Sequence, residues 1–170
     1  FAEELGNDVA GSSATYAYTD VSDDEGLLYM QIPTAWTDVS GASWEEEGTV
    51  VGNAVRAAPS LDSFYGSSST PGVFFGASAV LAQELEPGDL LDSTDFSGEC
   101  FYDGTYDYED AVYAGAYDVW VDCGGVGTTF VVLEAYPASL EFVALIQIQI
   151  VSDADLEALD TILATFDVTG

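Results

Sequence analysis

This 170-residue sequence predicts an α+β fold: a mostly antiparallel β-sheet covered by a long C-terminal helix and short helices. Three observations carry that expectation. Runs rich in Val, Ile, Tyr, Phe and Thr recur between turns marked by Gly and Asp, the pattern of consecutive strands. One segment alone, at the end of the chain, carries apolar residues at helical spacing over three turns. No internal repeat and no second apolar unit interrupts this order, so the length fits a single domain.

The elements follow in chain order. Residues 1–14 (FAEELGNDVAGSSA) read as a polar arm, and residues 15–170 as the domain. Thr15 to Val21 and Leu27 to Pro33 are two strand-like runs joined by the acidic turn Ser22-Asp23-Asp24-Glu25-Gly26, a hairpin. Pro33 ends the second run; Trp36 is expected in the core, and the segment through Ser43-Trp44-Glu45-Glu46-Glu47-Gly48 reads as loop. Thr49 to Ala58 is a strand carrying the one arginine, and Ser60 caps a short helix through Phe64. Gly66 to Pro71 is loop, Val73 to Val80 an apolar segment, and Pro87 to Leu91 starts another short helix. Cys100-Phe101-Tyr102 is expected to turn at Asp103-Gly104, a favoured hairpin dipeptide, into Thr105 to Tyr108.

Ala116 to Cys123 alternates, with Tyr117, Val119, Val121 and Cys123 on one side and Asp118, Trp120 and Asp122 on the other. After the Gly124–Gly127 turn, Thr128 to Glu134 is the next strand. Leu140 to Val151 is the most apolar, with Gln147 and Gln149 marking a wetter side. Ser152 and Asp155 stand at capping-box spacing before Leu156, Leu159, Ile162, Leu163 and Phe166, which share one helical face.

Charge excludes more than motifs include. The chain holds 31 acidic residues, one arginine, no lysine and no histidine, a net charge of -30. Phosphate neutralisation by lysine and arginine is out of reach, so nucleic acid is not a partner. Anionic membranes are excluded by sign. Without histidine there is no Ser-His or Cys-His couple and no imidazole metal ligand, and without lysine no Schiff base. With 48% apolar residues the chain folds in spite of its charge. Self-repulsion of such a shell fades when the Debye length falls to about 3 Å at 1 M salt. The surface is of the halophilic type, with an acidic but salt-indifferent secreted domain as the alternative.

Cys100 and Cys123 are the two cysteines. An even pair, each beside a strand-like segment, favours a disulfide and an address outside the cytoplasm. The chain opens at Phe1 and not at Met, which reads as a processed secretory product. No apolar run reaches the 18 or so residues of a membrane span.

Several segments resemble a known family. Leu28-Tyr29-Met30-Gln31-Ile32-Pro33-Thr34-Ala35-Trp36, Pro71 to Ser78, Cys100-Phe101-Tyr102-Asp103-Gly104, Tyr117-Asp118 through Gly125 and Gln147 to Phe166 are similar to a domain attached to secreted trypsin-like serine proteases of actinobacteria. The broader likeness is to the PsbP-like α/β sandwich, whose strand-Pro-x-x-Trp opening is matched by Ile32-Pro33-Thr34-Ala35-Trp36. The resemblance covers about residues 15–168 and implies fold and an extracellular address. It implies no catalytic residues, because the protease machinery lies in a different domain.

Carboxylates are the abundant chemical groups. Asp103, Asp107, Glu109 and Asp110, close together among Tyr102, Tyr106 and Tyr108, are a weak calcium candidate, since oxygen ligands on a flexible segment suit that ion but the spaced loop pattern is absent. A solvated acidic hairpin is the favoured reading of these residues. Asp20, Asp23, Asp24 and Glu25 read as a turn. The tyrosines and tryptophans could form a stacking platform for sugars, or simply pack. Trp44, beside three glutamates, is the candidate exposed contact; Arg56 is expected to pair with a carboxylate or meet a partner. The expected function is a non-catalytic secreted structural protein that self-associates, as a filament or surface-assembly subunit, through the arm including Phe1 or through a sheet edge. The alternative is a monomeric extracellular accessory module binding calcium or glycans. No cofactor is expected, and no enzyme constellation is recognised.

Overall fold

The computed structural model describes residues 15–169. The arm of residues 1–14, and with it the interaction expected at Phe1, lies outside the described residues. Strands β1 (Tyr18–Ser22) and β2 (Leu28–Pro33) form the expected hairpin. Its turn is closed by the buried Asp23, whose carboxylate accepts from the backbone N–H groups of Leu27 at 2.7 Å and Leu28 at 2.8 Å and from Asn53 Nδ2 at 2.9 Å. The acidic run there is a turn, as the sequence predicts, with one structural carboxylate inside it.

β3 (Asp38–Ser40) and β4 (Trp44–Glu46) both pair with the long β5 (Thr49–Ala58). The segment read as loop is therefore a tight hairpin, with Glu47 (φ 52°) and Gly48 (φ 84°) both left-handed in its turn. Helix α1 (Leu61–Gly66) is capped by the Ser60 hydroxyl, which accepts from Ser63 N–H at 3.3 Å. β6 (Gly72–Ser78) is buried throughout, and Ser78 then caps α2 (Ala79–Glu84), a helix not foreseen because its apolar sequence continues that of the strand. α3 (Asp89–Ser93) follows Pro87 as expected.

β7 (Phe101–Glu109) corrects one expectation. Asp103-Gly104 does not turn the chain; it is a bulge in one continuous strand, with Gly104 at φ 154° and the register against the next strand slipping between Tyr102 and Gly104. The pairing of β7 along its whole length with β8 (Tyr113–Cys123) overrides the local turn signal. β9 (Thr128–Pro137), β10 (Val143–Ile150), α4 (Asp153–Thr165) and β11 (Asp167–Val168) complete the chain.

Every recorded pairing is antiparallel. A small sheet runs β1-β2-β11, and a sheet of eight strands runs β3-β5-β6-β10-β9-β8-β7 with β4 also on β5. Alternation along the central strands gives the large sheet two unlike faces. Val55, Phe75, Tyr117, Val119, Leu133, Ile146 and Ile148 face the main core, which is closed by β2 and by Leu156, Leu159 and Ile162 of α4. Trp36 is buried here, as expected, edge-on to Tyr16. Asp155 fastens the closure: it accepts from the Val151 and Ser152 backbone N–H groups at 2.9 Å each and from the Tyr16 hydroxyl at 2.6 Å.

The opposite face is only half covered. Trp44, Phe74, Leu81, Leu90, Leu91, Val132, Val143 and Leu145 pack under β4, α2 and α3. Beyond α3 no element among the described residues covers this face.

Candidate functional site

The open area belongs to β7, β8 and β9. Register places Tyr102 beside Trp120 and then Phe130, Thr105 beside Asp118 and Val132, Asp107 beside Ala116 and Glu134, and Glu109 beside Ala114 and Tyr136. Period-2 alternation sends all of these to the half-covered face. α3 and the Pro87-Gly88 turn before it form one wall, leaving a trough.

The trough has two hollows. The first, about 580 Å³, is lined by Pro87, Gly88, Val112, Ala114, Ala116 and Tyr136, with Glu109 and Asp110 at its rim. The second, about 530 Å³, is lined by Asp92, Tyr102, Thr105, Ala116, Asp118 and Trp120. They meet at Gly88 and Ala116, which line both. From Ala114 to Trp120 the floor runs six residues along β8, about 20 Å.

α3 is held by a buried carboxylate. Glu134 accepts from Gly88 N–H at 2.5 Å through Oε1 and from Leu90 N–H at 3.1 Å through Oε2. Burial pushes its pKa up; those two amides pull it down, and Asp89 and Asp92 push it up again. Asp118 has less support. It is 5% exposed, and its recorded partner is the Thr105 hydroxyl. Burial raises its pKa, the Thr105 bond lowers it, and Asp92 raises it.

Two buried donors in the lining lack acceptors: Trp120 Nε1 and Tyr136 Oη. Tyr136 is pushed up to about 12, by burial first and then by Glu134, Asp89 and Glu86, so its hydroxyl keeps its proton. The other such group among the described residues, Trp36 Nε1, sits in the closed core away from the trough. At the far end Tyr102 is 56% exposed, with its ring 5.2 Å from that of Trp120. Phe96 packs edge-on against Trp120, and the Cys100–Cys123 disulfide completes the cluster beneath it. The disulfide is the one the sequence predicts.

The calcium candidates are dispersed. Asp107 and Glu109 lie on the trough face, whereas Asp103 accepts from the Tyr106 hydroxyl at 3.0 Å. Asp110 is occupied by the turn, accepting from Val112 N–H at 2.8 Å, Tyr113 N–H at 2.7 Å and the Tyr108 hydroxyl. Among the described residues no group of three or more His, Cys, Asp or Glu is placed to hold a metal ion.

Trp44 is a correction. It is 3% exposed, because β4 pairs with β5 and turns its ring edge-on against Phe74 at 5.5 Å. The glutamates after it stay in solvent while the indole goes in. Arg56 also departs from expectation: its guanidinium donates to the carbonyls of Ala42 at 2.9 Å and Ser43 at 3.3 Å and sits 5.1 Å from the Phe74 ring centre. Backbone carbonyls and a ring take the place of the expected carboxylate. Asp118, Glu134, Tyr136 and the Tyr102–Trp120 pair were not singled out from the sequence. The available signal was the acid–aromatic side of β8, where Asp118 and Trp120 alternate with apolar residues.

No family model and no curated protein sequence matches the chain. Among solved structures it is similar to the Ran-binding protein Mog1p of Saccharomyces cerevisiae, at 11% identity over 91% of this chain and 96% of that one, TM-score 0.47. It is also similar to the cyanobacterial PsbP protein (CyanoP) of Synechocystis sp. PCC 6803, at 9% identity over 94% and 96%, TM-score 0.45. The α+β class is read from the strand register and helices described above. No helix among the described residues is long and apolar enough to cross a membrane.

Proposed function

We propose that the chain is a non-catalytic extracellular binding module that holds an extended ligand in the trough of β7, β8 and β9. One observation carries this reading: a sheet face open over about 20 Å, with buried polar groups in its lining and no element among the described residues laid across it. Hydrolysis by paired carboxylates needs two free groups. Both oxygens of Glu134 hold α3, so this carboxylate is not free to act as acid or nucleophile. The disulfide suits an oxidising compartment. A place beside a secreted protease, as the sequence resemblance implies, would give such a module the task of holding its neighbour on a surface.

A second reading, self-association into filaments, has one observation in its favour. β7 is an edge strand, with Phe101 67% and Tyr102 56% exposed. The same strand carries a bulge and Asp103, Asp107 and Glu109, devices that guard edges against pairing. Two copies each at -30 also repel.

Light scattering from low to molar salt separates the two. A monomer throughout supports the binding module. Ordered growth on screening, abolished by Phe101→Lys, supports assembly and counts against the module.

A further inference from the structure

Resting on the trough reading, we propose that the ligand is an extended polypeptide segment that sets an arginine or lysine on Asp118 and an aliphatic side chain in the first hollow. Asp118 carries the argument. Four carboxylates are buried among the described residues, and three of them are satisfied by the chain itself. Asp23 takes two backbone amides and the Asn53 amide, Asp155 two backbone amides and the Tyr16 hydroxyl, and Glu134 two backbone amides. Asp118, equally buried, takes one hydroxyl, that of Thr105. It lines the second hollow, so the exposure it retains opens on the trough. Burial opposes its charge, and Asp92 opposes it further. The one arginine of the chain is committed to the Ala42 and Ser43 carbonyls. A guanidinium or ammonium from outside supplies what the fold does not, an opposite charge and N–H donors for this carboxylate.

The surroundings have one sign. Asp92 and Asp95 line the same hollow, Asp107 and Glu109 stand on the same face, and among the described residues no basic side chain lines either hollow. Anionic ligands are repelled, as are the arm with Glu3, Glu4 and Asp8 and a second copy at -30. The Tyr102 hydroxyl meets the Thr105 hydroxyl that bonds Asp118, so an exposed ring flanks the carboxylate. A cation held by Asp118 can also take that ring face. The other hollow separates a polypeptide from a small polyamine. Pro87, Val112, Ala114, Tyr136 and Leu140 give it an apolar lining, and Val112 and Leu140 are each 57% exposed. A chain of amines leaves that lining in water, whereas a polypeptide brings an aliphatic side chain to it. Ala114 and Asp118 are four residues apart on β8, about 13 Å. Side chains four positions apart on an extended segment keep that spacing and share a face.

The test is calorimetric titration of the full chain with end-capped peptides of Ser and Thr that carry one arginine and one leucine four positions apart, in either order. Companion probes put glutamine for the arginine, serine for the leucine, or spermine for the whole peptide. One order of the arginine peptide is expected to bind, and each companion about tenfold more weakly, the size of one charged hydrogen bond or one buried aliphatic side chain. Asp118→Asn is expected to weaken the arginine peptide about tenfold and to leave the glutamine peptide unchanged. Asp160→Asn removes the same charge from the exposed side of α4 and is expected to change neither. Salt near 1 M screens exposed charges and is expected to leave the Asp118 dependence in place. Equal binding of the arginine and glutamine peptides, equal losses in the two variants, or spermine as tight as the peptide overturns the inference. A titration with a pool of neutral oligosaccharides tells the two levels apart. Ala116→Trp fills the junction of the hollows; Ala114→Trp, at an exposed position, serves if the first variant folds poorly. If the arginine peptides fail and the oligosaccharides bind in a way these variants abolish, the basic segment is wrong and the trough stands. If nothing binds, or binding is indifferent to both variants, the trough reading falls with it.

Discussion

The two faces of the large sheet obey one alternation and end in opposite ways. On the closed face, β5, β6, β10, β9 and β8 present aliphatic and aromatic side chains without a break to α4 and β2. On the other face the apolar row stops at α3, and β8 and β9 continue with Ala114, Ala116, Asp118 and Glu134. Burial stabilises the first face; on the second, part of that stabilisation is given up for polar groups with incomplete partners. That contrast is the physical basis of the proposed binding surface.

The largest test of the contrast is a pair of truncations. Ile146→Ala, fully inside the closed face, is expected to cost about 2–5 kcal/mol. Tyr102→Ala, on the open face, removes one exposed aromatic pair and is expected to cost about 1 kcal/mol. Urea unfolding of both variants checks this, and equal losses would erase the distinction. Next comes the disulfide. Opening Cys100–Cys123, a loop of 23 residues, is expected to cost about 3 kcal/mol. Hydrogen exchange should then show the first loss of protection around Trp120 and β7 and not around α4.

Glu134→Ala removes the acceptor from two amides at the start of α3 and is expected to cost about 1–3 kcal/mol. Faster exchange at Leu90 N–H would be the local readout. The smallest effect sharpens the comparison through its sign. Burial raises the pKa of Asp118 and Glu134 in the folded chain, so below the raised value the native state binds more protons than the unfolded one. Their contribution is therefore fully favourable below the ordinary carboxylate range and is lost as pH rises through the folded values. Mild acidification from pH 7 should raise Tm, and Asp118→Asn should raise it at pH 7 and flatten the profile. Asp107→Asn, on the exposed rim, removes the same unit of global charge, so a larger gain for Asp118→Asn isolates burial.

Much of the closed face was legible in the sequence, because there one physical demand sets the pattern. Leu156, Leu159 and Ile162 at helical spacing, and Ile146 and Ile148 alternating with glutamines, can hardly do anything but pack. Gln149 even shows why the wetter side is polar: its amide donates to the carbonyls of Ser67 and Thr70. Errors arise where local and long-range signals conflict. Asp103-Gly104 has turn chemistry, but eight residue pairs with β8 on either side of the bulge keep the strand continuous. Trp44 sits in an acidic run, yet a two-residue turn at Glu47-Gly48 brings it against Phe74. The trough escaped because it is made by register across three strands and by the absence of a covering element. Neither is written in any single segment; only Asp118 beside Trp120 hinted at it.

The central claim is that the half of the second face left uncovered by the described residues is a binding surface, and an NMR titration tests it most directly. With an oligolysine peptide and, separately, a pool of neutral oligosaccharides as probes, the amides of Thr105, Ala116 and Asp118 should shift together and saturate for at least one of them, while α4 and β2 stay fixed. Saturating shifts on the closed side, or none at the trough with either probe, would contradict the account.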